Sequence, residues 1–242
     1  MKTVLTIAGS DPSGGAGIQK DLVVFRDLKV QGLSVITALT AQTPDRFFSL
    51  NAVSTVVFTE QLRAMSQSFS IDGIKIGSLA SRELAYQTFR FLERGKPSVV
   101  VVDPVLKSSS GGVLLESGGV PILTQCIFPL ATLVTPNLDE AERLTDKPVR
   151  TVGDMERAAK KMAVQYKISN VLIKGGHLSD APIDVLFDGR HYRHFAPSKK
   201  ASKSVRGTGC MLSSAIAVYL VKGNSLVESI RKAKIYLEGQ LS

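Results

Sequence analysis

Apolar residues along this chain come in short unbroken runs that alternate with stretches of helical spacing. Residues 3–8 form a β-rich apolar run that stops at Gly9-Ser10-Asp11-Pro12-Ser13-Gly14-Gly15-Ala16-Gly17, after which Ile18, Leu22, Phe25 and Leu28 mark one face of a helix. The alternation continues with a strand over 34–38, a strand or ribbon over 47–56, a helix over 58–68, a strand over 71–77 and a helix over 82–93. Val99 to Val102 then place four valines in a row, which predicts a strand buried on both faces at the centre of a parallel sheet, with Asp103 at its carboxyl end. Beyond it the pattern predicts a helix over 113–124, a strand over 131–135, a helix starting by Asn137, and a helix over 151–166 with Met155, Ala159, Met162 and Tyr166 facing the core. A strand over 170–173 leads to a hairpin whose strands, 183–187 and 190–195, flank Asp188-Gly189. An apolar helix follows Cys210 as far as Lys222-Gly223-Asn224, and an amphipathic one covers 226–237.

Repeated strand–helix alternation predicts an α/β fold with a mainly parallel central sheet flanked by helices on both faces. With 242 residues, 44% of them hydrophobic, the chain can bury one sizeable core, so one domain over 1–242 is expected. The net charge of +9 suggests an anionic partner. Lysines and arginines are spread along the chain, and neither an aromatic-interleaved basic run nor a Cys/His module is present, which points away from nucleic acid and toward a phosphate-rich small molecule. The one dense basic cluster is Lys199, Lys200, Lys203 and Arg206. Cys126 and Cys210 sit in unlike contexts without metal-ligand spacing, the first apolar run is too short for a secretion signal, and no segment is long enough to span a membrane. A reducing, cytoplasmic setting without disulfides is expected.

Candidate chemistry gathers where strands give way to loops, the side on which open α/β sheets bind ligands. In Arg206-Gly207-Thr208-Gly209-Cys210 two glycines bracket a threonine just before an apolar helix, so first-turn N–H groups would form an anion site and would lower the pKa of a thiol placed there. The competing reading is a glycine-rich turn with a buried small cysteine. The first loop is neither a Walker A motif nor a phased G-x-G-x-x-G. Asp21 could hold a polar substrate group or merely complement a helix dipole. Gln42, at a strand exit, could donate and accept at once against a heterocycle edge, or stabilise a loop. Asn137 and Glu140, three apart, fit a capping pattern or a place near Mg²⁺. Lys174 could meet a phosphate or be a surface lysine, and His191 and His194 read as polar strand positions. With Asp103, these are parts for phosphoryl transfer without a P-loop.

Ala8-Gly9-Ser10-Asp11-Pro12-Ser13-Gly14-Gly15-Ala16-Gly17-Ile18-Gln19-Lys20-Asp21, Lys75-Ile76-Gly77, Val101-Val102-Asp103-Pro104-Val105, Thr135-Pro136-Asn137-Leu138-Asp139-Glu140-Ala141, Lys174-Gly175-Gly176-His177 and Gly207-Thr208-Gly209-Cys210 together resemble the hydroxymethylpyrimidine/phosphomethylpyrimidine kinases of thiamine biosynthesis, in the ribokinase-like superfamily. The resemblance implies ATP- and Mg²⁺-dependent phosphorylation of 4-amino-5-hydroxymethyl-2-methylpyrimidine and then of its monophosphate. It implies Cys210 as general base, Gly207, Thr208, Gly209 and Cys210 as anion hole, and Lys174 as a phosphate contact with Arg206 and Gly207 on the nucleotide side. Asn137, Glu140 and Asp103 would organise Mg²⁺; Gly9, Asp21, Gln42, Ser78 and Val105 would line the pyrimidine site. Gln42 favours the aminopyrimidine, since relatives that prefer pyridoxal tend to be apolar there. Arg206, Met211 and Ser78 depart from the family's usual histidine, threonine and methionine. A homodimer is the expected assembly. The alternatives are a pyridoxal kinase, a non-catalytic pyrimidine-binding regulatory protein and, more distantly, a Rossmann dehydrogenase; an intact set of Cys210, Lys174, Asn137 and Glu140 speaks for an enzyme.

Overall fold

The computed structural model describes residues 1–43, 45–108, 111–176, 182–197 and 206–241; Lys199, Lys200, Lys203 and His177 lie outside them. Among the described residues, nine strands form one sheet. In it β1 (Thr3–Ser10) is flanked in parallel by β2 (Gln31–Gln42) and β4 (Gly73–Ile76), and the parallel series runs on through β5 (Val100–Val102), the central strand, to β6 (Leu133–Val134) and β7 (Val171–Ile173). The edges are antiparallel: β3 (Phe47–Ala52) on β2, and β8 (Asp184–Phe187) with β9 (Tyr192–Phe195) beyond β7. Val35, Ile7, Ile76, Val102 and Val134 share one row, at which β4, β5 and β6 end while β1 and β2 run on, and the residues beyond that row line one crevice. Strand β2 is longer than the pattern predicts because, past Ala38, its exposed end is paired by β3.

Helices cover both faces. Side chains of α2 (Thr55–Ser68), α3 (Arg82–Gly95), α5 (Leu138–Thr145) and α6 (Val152–Gln165) pack with Val100 and Val102, whereas those of α1 (Gly17–Asp27), α7 (Thr208–Val221) and α8 (Leu226–Leu241) pack with Val101. The alternation of those three buried valines between two cores is why the run carries no polar position. Every residue from Met211 to Val218 is buried, as an all-round apolar helix requires, including Ser213 and Ser214.

The helix expected over 113–124 does not form there. Val113 and Leu115 bridge to Lys107 and Ala80, and only α4 (Gly119–Ile122) is α-helical before a π turn over Leu123–Ile127 and a 3₁₀ turn over Phe128–Leu130. Local chemistry accounts for this: Gly118 and Gly119 weaken a helix and Pro121 supplies no N–H to one. The segment instead becomes a wall of the crevice.

Candidate active site

Asp103 leaves β5 with its N–H on the Ile76 carbonyl at 2.8 Å and is almost fully buried. Lys174 Nζ donates to its Oδ1 at 2.5 Å, and the hydroxyls of Thr135 and Ser213 approach its two oxygens at 3.4 and 3.3 Å. Lys174 leaves β7 with its N–H on the Pro136 carbonyl at 2.8 Å, which sets it beside Asn137 at the exit of β6. Burial would lower the lysine's pKa, but Asp103 and Glu140 outweigh burial and hold it above its ordinary value. Asn137 and Glu140 form a reciprocal capping box: Asn137 Oδ1 accepts from the Glu140 N–H and Glu140 Oε2 from the Asn137 N–H, both at 2.8 Å. The capping reading therefore holds, and both residues also line the cleft. Burial pushes the Glu140 carboxyl up to about 7 against the pull of Lys174, with Asp103 adding to the rise.

Opposite these groups, α7 starts at Thr208 with no side-chain cap on its first N–H groups. Gly207 has φ +80°, and a Cβ there would lie 2.1 Å from the Gly15 carbonyl oxygen; at Gly17, φ +62°, a Cβ would lie 2.3 Å from that of Gly9. The two glycine loops thus touch backbone to backbone, which only glycine permits. A Cβ on Gly209 would sit 3.1 Å from Lys174 Nζ, so the ammonium faces the helix start. Cys210 lines the cleft, yet its thiol is not acidified as expected. Burial pushes it up to about 11, with Lys75 and the Gly17 N–H opposing and Asp103 and Asp21 adding. Burial and two carboxylates outweigh Lys75 and the Gly17 N–H.

Asp21, which the resemblance assigns to the pyrimidine site, is placed deeper than the cleft lining. It does not line the cleft but lies fully buried beneath it, receiving Lys75 Nζ at 2.9 and 3.0 Å, Thr6 Oγ1 at 2.6 Å and Ser214 Oγ at 2.8 Å. It is not a first-turn dipole partner, and its bonds anchor Lys75. Burial lowers the lysine's pKa, but Asp21, Cys210 and Asp103 more than reverse that, so Lys75 stays charged at the cleft floor. Gly77 makes room for it, since a Cβ there would come within 3.1 Å of Nζ. Thr208 does not reach the lining, whereas Gly9, Gln42, Ser78, Val105, Arg206, Gly207 and Gly209 do. Ser78 Oγ is turned to the Leu114 carbonyl at 2.7 Å, and Arg206 donates to Gln42 Oε1 and to the Thr43 carbonyl, both at 2.6 Å.

Lys75, Asp11 and Lys107, to which the sequence pattern assigns no role, also line the cleft. The available signal for Lys75 was a lone cation inside the apolar run Ile74-Lys75-Ile76. Asp11 bonds Ser13 through Oδ1 at 2.8 and 2.9 Å, and its buried Oδ2 has no protein partner among the described residues. Among those residues, no three His, Cys, Asp or Glu side chains converge as a ready-made metal cage. No helix there is long and apolar enough to cross a membrane.

The family described as Phosphomethylpyrimidine kinase matches residues 11–242. The chain belongs to that family. It is a kinase with the ribokinase-like fold of its structural neighbours. A hydroxymethylpyrimidine/phosphomethylpyrimidine kinase of Aquifex aeolicus is 38% identical over 96% of this chain and 91% of its own length. A bifunctional thiamine biosynthesis protein of Geobacter sulfurreducens is 42% identical over 97% of the chain, which spans only 48% of that longer relative. The crystal structure of phosphomethylpyrimidine kinase from Clostridium difficile superposes with a TM-score of 0.87 at 35% identity, covering all of both chains. Pyridoxal kinase from Staphylococcus aureus, solved with AMP-PCP and pyridoxal, gives 0.89 at 31% identity over all of this chain and 88% of that one.

Proposed function

We propose that this kinase transfers the γ-phosphoryl group of ATP to the hydroxymethyl oxygen of 4-amino-5-hydroxymethyl-2-methylpyrimidine, and then phosphorylates the monophosphate to the pyrophosphate, in thiamine biosynthesis. The observation that carries this reading is the convergence, in one cleft, of an uncapped helix start, the charged Lys174 and the Cys210 thiol, with the Asn137–Glu140 pair alongside. The N–H groups of Gly209 and Cys210, both on the cleft lining, hold the phosphoryl oxygens, and Lys174 neutralises the charge that grows on them. Cys210, as thiolate, takes the hydroxyl proton as the new O–P bond forms and the bond to the β-phosphate breaks. Gln42, Val105 and Ser78 form the pyrimidine wall.

Glu140, Asp103 and Asn137 are hard oxygen donors that suit Mg²⁺ held mainly by water and phosphate, the manner in which this ion is usually bound beside nucleotides. Mg²⁺ would supply charge neutralisation of the phosphates. The cytoplasmic setting rests on the cysteine usage, and the homodimer on the family resemblance. The likeness to a pyridoxal kinase supports a second reading, the same transfer to pyridoxal.

An ATP-to-ADP assay with Mg²⁺ that offers hydroxymethylpyrimidine, its monophosphate and pyridoxal separately tests both readings. Turnover on both pyrimidines is expected. Turnover on pyridoxal alone would replace the substrate, and turnover on none would replace the activity with binding.

A further inference from the structure

Arg206 occupies a junction. It directly precedes Gly207, its aliphatic Cδ lies 3.6 Å from where a Cβ on Gly15 would be, and its two terminal nitrogens cross to the turn after β2. One nitrogen donates to the Thr43 carbonyl and the other to Gln42 Oε1, each at 2.6 Å. A guanidinium carries five donors and no acceptor, so only the oxygen end of the Gln42 amide can face it. The amide's orientation is therefore set by chemistry. Its other end, Nε2, donates to no group among the described residues, and Gln42 lines the cleft beside Ser10 and Thr40.

We infer that Arg206 is a positioning residue that fixes the Gln42 amide with its carbonyl on the arginine and its NH₂ available to the ligand, so that the cleft offers a donor to the ring edge and selects heterocycles presenting an acceptor nitrogen there. This rests on the reading of the cleft as a heterocycle-binding kinase site. It changes the expectation for Gln42, because an amide free to turn would read either a donor or an acceptor. The arrangement needs the planar fork: a lysine keeps the charge but, as a single ammonium on a flexible stem, does not hold Thr43 and Gln42 in one plane.

The test is calorimetric binding of hydroxymethylpyrimidine and, separately, of AMP-PCP to the full-length protein and to Arg206→Ala, Arg206→Lys, Gln42→Glu, Gln42→Leu and Arg206→Ala/Gln42→Leu. Loss of one oriented hydrogen bond predicts that both arginine variants weaken pyrimidine binding roughly five- to tenfold. Nucleotide binding should change by less than about twofold on the same scale. Gln42→Glu keeps a partner for Arg206, indeed a stronger one, but removes the donor, so it should weaken pyrimidine binding at least as much as Arg206→Ala. In the Gln42→Leu background, removing Arg206 should have almost no further effect on the pyrimidine. An Arg206→Ala penalty that persists undiminished in that background would overturn the inference, as would full affinity in Arg206→Lys or Gln42→Glu. A loss confined to AMP-PCP would assign Arg206 to the phosphates instead. If the unmodified protein binds AMP-PCP but no pyrimidine, the substrate reading fails and the inference with it; if it binds both and the variants show no coupling, only the inference fails.

Discussion

Cys210 holds its proton at neutral pH, since the thiol sits at about 11. As base, its working form is a minor species, and kcat should climb with pH across the neutral and mildly alkaline range by up to about tenfold per unit. A profile that is flat from pH 7 to 9 would remove the proton-accepting role and leave alignment and charge neutralisation. Cys210→Ala should lower kcat roughly a hundredfold or more, on the scale of lost general-base assistance, while calorimetry still finds pyrimidine binding. Beneath the cysteine, the Lys75–Asp21 pair has no exposed side-chain surface. Lys75→Met strands a buried carboxylate and should cost about 3–5 kcal/mol in denaturant unfolding. Lys75→Met/Asp21→Leu should recover part of that loss, because no charge is left unpaired. A double variant as unstable as the single one would show that the site needs the ions themselves. None of this pairing was legible in the sequence, for Asp21 and Lys75 stand 54 residues apart and neither residue's neighbours name the other.

At the scale of elements, helix starts are written locally and can be tested locally. Thr151 and Asp154 cap α6 reciprocally, and Asp154 also accepts from the Arg150 N–H. The Thr151 hydroxyl first, then that N–H, hold the Asp154 carboxyl at about 2, below its ordinary 3.8. A depressed carboxylate stabilises the fold fully above the unfolded-state pKa and loses that contribution as pH falls through the folded one. Asp154→Asn should therefore lower the unfolding midpoint at pH 6, and the gap from the unmodified protein should close between about pH 4 and 2. A gap that does not depend on pH would show the cap to be insensitive to charge. The same locality explains what could be read beforehand. The valines of β5, Asp188-Gly189 between β8 and β9, and the Asn137–Glu140 spacing each carry their structure within a few residues. Residues 113–118 do not: their apolar content fits a helix, but Leu114 accepts from Ser78 and Ala80, and Leu115 bridges to Ala80, contacts that only the assembled sheet supplies. The site followed the same rule. Strand-exit residues could be placed from pattern alone, whereas the raised Cys210 thiol and the buried Asp21 depended on neighbours distant in sequence.

Across the whole molecule, the two glycine loops meet at Gly207 and Gly15, joining residues near the first strand to the start of α7. Gly207→Ala forces a Cβ against a carbonyl oxygen as well as an unfavourable φ, and should lower AMP-PCP affinity more than about tenfold along with the melting temperature. Gly223→Ala shares the positive φ, +87°, but meets nothing within 4 Å, so it should cost only about 1–2 kcal/mol and leave nucleotide binding intact. Equal effects of the two on nucleotide binding would mean that the contact between loops is immaterial. The topology also fixes an order of events during synthesis. Val4, Val101, Leu133 and Leu172 line a sheet face whose main covers, α7 and α8, are made of residues 208–241. While a ribosome is still translating that region, the nine described strands have already been made, and among the described helices α1 alone is there to shelter one face of the sheet they can form. A nascent chain paused before residue 208 is therefore a sticky, chaperone-seeking species, and the helix that completes the pocket is also the one that ends that exposure.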